Sequence, residues 1–78
     1  MKDLLNFIVT NLVNNPKSVE ITETTTPEGE NTLEISLDPS DMGLIIGKSG
    51  KVIRSIRNIV RTKAILEHKK VNIVLQEQ

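Results

Sequence analysis

The chain contains no cysteine, tryptophan or tyrosine, and its one aromatic residue is Phe7. Without cysteine there is neither a disulfide framework nor a thiolate metal site. A single aromatic excludes the stacked-ring platforms on which many single-strand binders seat bases. No apolar run approaches the roughly 20 residues of a membrane helix. Met1-Lys2-Asp3 puts an acid where a secretory signal would be basic, so a cytoplasmic location is expected. The lone His68 sits beside Lys69 and Lys70, with no acid or cysteine at metal-ligand spacing. No serine has a His and acid constellation, and no carboxylate pair stands out. The expectation is therefore a protein without catalytic site, metal or cofactor.

What the chain does have is a division of charge. Its formal net charge is zero over 78 residues, a length that suits one small domain, residues 1–78. Residues 1–47 hold two bases and eight acids, 2 − 8 = −6. Residues 48–78 hold eight bases and two acids, 8 − 2 = +6. From Lys48 to Lys63 there are six bases and no acid. Such a segment suits a polyanion, and equally a solvated helix surface.

Hydrophobic periodicity supplies the elements. Leu4, Leu5, Ile8, Val9, Leu12 and Val13 recur at helical spacing over residues 3–14, with Phe7 beside them. Asn14-Asn15-Pro16 ends that helix, because a residue before proline is pushed out of helical geometry. Residues 18–25 and 32–37 alternate, with Val19 and Ile21, then Leu33, Ile35 and Leu37, facing inward. The polar turn between them predicts an antiparallel hairpin. Asp38-Pro39-Ser40-Asp41 starts a short helix: Asp38 as N-cap, Pro39 at the first position, Asp41 at the positive helix end. A long amphipathic helix follows Gly50 and reaches about His68, and Val71, Ile73 and Leu75 mark a third strand. The order is helix, strand, strand, helix, helix, strand. It predicts an α+β domain, a three-stranded mixed sheet with three helices on one face, its last two strands parallel through a crossover.

Between the two later helices stands GLIIGKSGKV, residues 43–52. The nucleotide-hydrolase loop G-x-x-x-x-G-K-[ST] is excluded: the first spacing is one residue short, and a helix, not a strand, precedes it. What remains is Gly47-Lys48-Ser49-Gly50. Glycines permit a left-handed reversal and let a phosphate approach the main chain, where loop amides and a helix N-terminus favour an anion. A tight turn between packed helices needs the same glycines.

Taken with its surroundings, Ile45-Ile46-Gly47-Lys48-Ser49-Gly50-Lys51-Val52-Ile53-Arg54-Ser55-Ile56 resembles the signature of the KH nucleic-acid-binding domain: an aliphatic pair, G-x-x-G, then a helix bearing aliphatics and bases. The element order resembles type II KH domains across the whole chain. Length and the DMGLIIGKSGK stretch are similar to the stand-alone bacterial KH proteins of the KhpA family. The resemblance implies single-stranded RNA clamped by the G-x-x-G loop. Carried onto this chain, it implies contacts from Gly47, Lys48, Ser49 and Gly50, with Gly43, Ile46, Ile53, Ile35 and Leu37 lining a groove. It also implies self-association, or pairing with a larger KH protein of the Jag/KhpB type.

Turning about 100° per residue places Arg54, Arg61 and Arg57 at about 300°, 280° and 240° from Lys51, beside an apolar sector from about 60° to 220°. Lys51 and Arg54, nearest the loop, are expected to meet phosphates, and Arg57 to extend the field. Ile59 and Ile65 are the candidate dimer surface. A KH-shaped adaptor, with RNA binding secondary, is the alternative reading.

Overall fold

The computed structural model describes residues 1–76. Helix α1 (Lys2–Leu12) leads through a 3-10 turn at Pro16–Ser18 to strands β1 (Glu20–Thr25) and β2 (Glu30–Ser36). A second 3-10 turn, Pro39–Asp41, opens α2 (Met42–Ile46). A third, Lys48–Gly50, separates α2 from α3 (Lys51–Leu66), and β3 (Lys70–Leu75) closes the fold. The sheet order is β1-β2-β3. β1 pairs antiparallel with β2, Ile21 facing Ile35, and β2 pairs parallel with β3, Leu33 facing Ile73. This is the expected element order and sheet.

Alternation puts Ile21, Leu33, Ile35 and Ile73 on the inner face of the sheet. They form one buried cluster with Leu5 and Val9 of α1, Ile45 of α2, and Ile53, Ile56 and Val60 of α3. The other face carries Thr22, Thr24, Thr32 and Glu34, which suits a surface in contact with water. Ile35 and Leu37, expected along a groove, lie within the core.

Several boundaries differ from the periodicity reading, among them the end of α3, which stops at Leu66 rather than about His68. α1 stops at Leu12, ahead of Asn14. Pro16–Ser18 winds into a 3-10 turn, so β1 begins at Glu20 rather than residue 18. The polar Glu30 and Asn31 join β2, because Thr26 closes the hairpin turn: Thr26 N–H donates to the Glu30 carbonyl at 2.8 Å and the Gly29 amide to the Thr26 carbonyl at 2.9 Å.

Local chemistry sets the ends of the crossover. Asp38 caps the turn before α2, accepting from the Ser40 amide at 2.9 Å and the Ser40 hydroxyl at 2.8 Å. Those two bonds, the amide first, hold its carboxyl below the usual carboxylate range. Asp41 does something the sequence reading did not foresee. It is 1% exposed and accepts from the Asn15 amide (2.9 Å), the Asn14 amide (3.2 Å) and the Asn15 side chain (3.1 Å). It thereby ties the end of α1 to the start of α2 and satisfies two backbone amides of the segment that follows α1. At the far end of α3, His68 takes φ +57°. Its amide bonds to the Ile65 carbonyl and that of Lys69 to Ala64 at 2.8 Å, a Schellman closure in which histidine holds the usual glycine place.

Candidate nucleic-acid interface

The loop owes its shape to three residues with positive φ. Gly47 has φ +73° and ψ 175°. A Cβ there would collide with the side chain of Val52 and lie 2.9 Å from its backbone nitrogen, so no larger residue fits without displacement. Ser49 has φ +56° and ψ 27°, a left-handed conformation unusual for a residue with a Cβ. Gly50 follows at φ +75°. Turn bonds occupy the Gly47 amide (to Gly43, 2.9 Å) and the Gly50 amide (to Gly47, 3.2 Å). The Lys51 amide bonds to the Lys48 carbonyl. Lys48 and Ser49 form the exposed tip, with Gly47 and Gly50 half-buried at its base.

The other expected site residues distribute unevenly. Gly43 is exposed on α2, with open space where a side chain would be. Ile46 is half-buried, whereas Ile53 lies in the core and presents 7% of its surface. Lys51 is exposed at the first turn of α3. Arg54 reaches back and donates to the Ser49 carbonyl at 3.1 Å, bracing the strained residue. Arg57 is half-buried and donates to the Ile73 carbonyl of β3 at 3.4 Å. Arg54, Arg57 and Arg61 of α3 thus form one flank, from the loop to the outer edge of β3.

That flank borders a cleft of about 310 Å³ between α3 and β3, lined by Arg54, Arg57, Asn58, Arg61, Asn72 and Ile73. Sequence reasoning did not single out Asn58 or Asn72. Asn58 falls at about 340° on the same helical projection, between Lys51 and Arg54, which was a usable signal. Asn72 carried none, because its place depends on which side of β3 is left unpaired.

Ile59 and Ile65 are 51% and 72% exposed, but they do not share a face. Their helical positions differ by about 120°. Ile65 turns toward Arg61, Lys69, Lys70 and Val71. Leu66, at about 60° on the same projection, is 76% exposed and lies within about 20° of Ile59. These two residues mark the edge of the sector that the core does not cover. Phe7, expected beside the stripe of α1, is likewise 66% exposed.

A G-x-x-G turn between two helices, inside a β-α-α-β unit preceded by an extra helix and strand, defines a type II KH domain. The family model described as KhpA/KhpB, KH domain matches residues 2–75. A protein of Clostridium perfringens named RNA-binding protein KhpA is 41% identical over 71 residues, covering 91% of this chain and 93% of its own. Its namesake in Chlamydia trachomatis is 36% identical over 80 residues, covering 100% and 99%. That of Aquifex aeolicus is 37% identical over 62 residues, covering 77% and 75%. The chain belongs to the KhpA/KhpB family of KH domains.

Proposed function

We propose that this protein binds single-stranded RNA without catalysis, and that the Gly47–Gly50 loop clamps the RNA backbone. The observation that carries the proposal is the loop itself: a lysine and a serine exposed at the tip of a turn held in a left-handed shape, beside a flank of bases. Gly43 and Gly50, with open space where side chains would stand, let a phosphate approach the chain; Gly47 lets the turn close on Val52, and the tip amides, the Lys48 ammonium and the Ser49 hydroxyl supply donors. Lys51 and Arg54 add charge one turn away, and Arg57 continues the field. Ile46 offers the nearest aliphatic surface to a base. Ile53 would contribute by supporting the loop from below. The relatives' name, RNA-binding protein, agrees with this use of the surface.

Binding measured by fluorescence anisotropy on short single-stranded RNA tests the clamp. Lys48→Asp with Ser49→Asp should lower affinity at least about ten-fold while the melting temperature stays within a few degrees. Unchanged affinity in that folded variant sinks the loop mechanism. With two or three phosphates neutralised, log affinity should fall with log salt at a slope of about −2.

A second function, pairing with another KH chain, draws on the exposed Ile59 and Leu66. These aliphatics on α3 suit a second copy or a KhpB-type partner, as in a protein that acts on RNA as a chaperone or regulator in company with another KH domain. Ile59→Asp with Leu66→Asp should then shift sedimentation toward the monomer, or abolish capture of the partner, with the loop intact.

A further inference from the structure

We infer that the outer edge of β1 takes up an extended basic peptide as a fourth strand of the sheet. The inference begins with the direction of the backbone. In an antiparallel ladder, residues alternately turn both backbone groups toward the neighbouring strand and away from it. The Thr26 amide bonds to the Glu30 carbonyl. Counting back by two, Thr24, Thr22 and Glu20 face β2 through their partners Thr32, Glu34 and Ser36. Ile21, Glu23 and Thr25 therefore turn an amide and a carbonyl each to the other side, where β1 has no neighbouring strand among the described residues. RNA phosphates accept but do not donate, and a helix has its backbone groups bonded within itself. An extended peptide offers both and continues the ladder.

Strand edges are blunted by proline, by a bulge or by charge. Here the register runs without interruption from Glu20 opposite Ser36 to Thr25 opposite Asn31, and β1 contains no proline. Only charge is left, and it has one sign. Glu20 and Glu23 are exposed on β1, Glu34 lies across from Thr22, and Glu28 stands at the hairpin turn. From Ser18 to Gly47 the sequence has no lysine or arginine, and Lys17 is the nearest base in the chain. The ion pairs among the described residues all belong to Glu67, so these carboxylates are unmatched there.

Such an edge repels a second β1 and a nucleic-acid strand, and it attracts a strand carrying lysine or arginine. A second copy of this chain brings its bases chiefly on α3, where the backbone is already bonded within the helix. The occupant is thus a basic, extended segment of another protein. Thr22, Thr24 and Thr25, β-branched, hold β1 extended before the segment arrives, which lowers the ordering cost of pairing. β1 and β3 lie at opposite edges of the sheet, so the basic flank of α3 stays free for RNA.

The test uses the whole chain and a fluorescein-labelled peptide in which lysine alternates with threonine, followed by anisotropy and by NMR amide exchange. The peptide should bind, and the amides of Ile21, Glu23 and Thr25 should exchange on the order of ten-fold more slowly in the complex. Those of Thr22 and Thr24, already turned to β2, should change little. Methylating every backbone nitrogen of the peptide keeps its charge and should weaken binding about ten-fold. Glu20→Gln with Glu23→Gln, checked for folding by circular dichroism, should weaken it about five-fold. Equal binding of the methylated peptide, or protection centred on other residues, overturns the inference, because the peptide would then be held as a polycation. So does an absence of binding to wild type, which would leave the acids as a guard against pairing between copies of β1. Slow exchange of the three amides in the free protein that quickens on dilution overturns it too, and gives the edge to a second copy.

Discussion

The two turns that flank α2 are built from similar polar residues and use them in opposite ways. In Asp38-Pro39-Ser40-Asp41 the side-chain oxygens of both acids are engaged within the fold: Asp38 with Ser40, Asp41 with Asn14 and Asn15. In Gly47-Lys48-Ser49-Gly50 the side chains of Lys48 and Ser49 stand in solvent, and the backbone is held in a costly conformation by what surrounds it. The first turn converts polarity into stability. The second carries strain and presents donors, the combination expected where structure is kept for a ligand. Only five residues separate them, so α2 acts as a rigid spacer between a fastened end and a presenting end.

Substitutions can break this contrast. The largest effect is expected from Gly47→Ala. It adds left-handed strain and a clash with Val52, and should cost about 3 kcal/mol by chemical denaturation. Next is Asp41→Ala, which leaves two amides and a buried corner unsatisfied and should cost about 2 kcal/mol. Unchanged melting of that variant would show that the first turn is not a fastening.

Two opposite-signed changes sharpen the comparison. Ser49→Gly and His68→Gly each relieve a left-handed residue and should each stabilise by about 1 kcal/mol in thermal melts. Ser49→Gly alone should lower RNA affinity, because only that residue lies at the tip. An RNA effect from His68→Gly would contradict the assignment of the interface.

The smallest effect concerns pH. The bonds from the Ser40 amide and hydroxyl hold the Asp38 carboxyl below the usual carboxylate range, so its contribution is present above that range and is lost as pH falls through the lowered value. The stability difference between wild type and Asp38→Ala should therefore be constant near neutrality and shrink below about pH 4.

Much of the fold was legible because its signals are local. The alternation in β1 and β2, the Asp38-Pro39 cap and the long 3.6-residue period of α3 each report on neighbours within a few residues. The parallel crossover followed from the order of those elements. The role of Asp41 did not, because its partners lie 26 and 27 residues away. Periodicity also named an apolar sector on α3 without saying how much of it is covered. Ile59 and Leu66 fall at the edge that α1 and α2 leave open, which only packing decides. At the candidate interface, the glycines, Lys48 and Arg54 were legible as a motif. Asn72 and the outward carbonyl of Ile73 depended on the side of β3 that has no neighbouring strand among the described residues.

The pairing of β2 with β3 has a kinetic consequence. Glu30 meets Lys70 across the ladder, so the strands close a circuit of some forty residues that contains both turns and α3. Contacts so distant in sequence form slowly, because the intervening chain must be ordered before the pairing rewards it. The β1–β2 hairpin has no such delay. Refolding should thus pass from a hairpin packed against α1 to a barrier at which the crossover docks, and the loop acquires its left-handed shape on the late side of that barrier. Strain at Ser49 would then slow folding little and hasten unfolding more, making the lifetime of the native state, rather than its rate of formation, the quantity most sensitive to the loop.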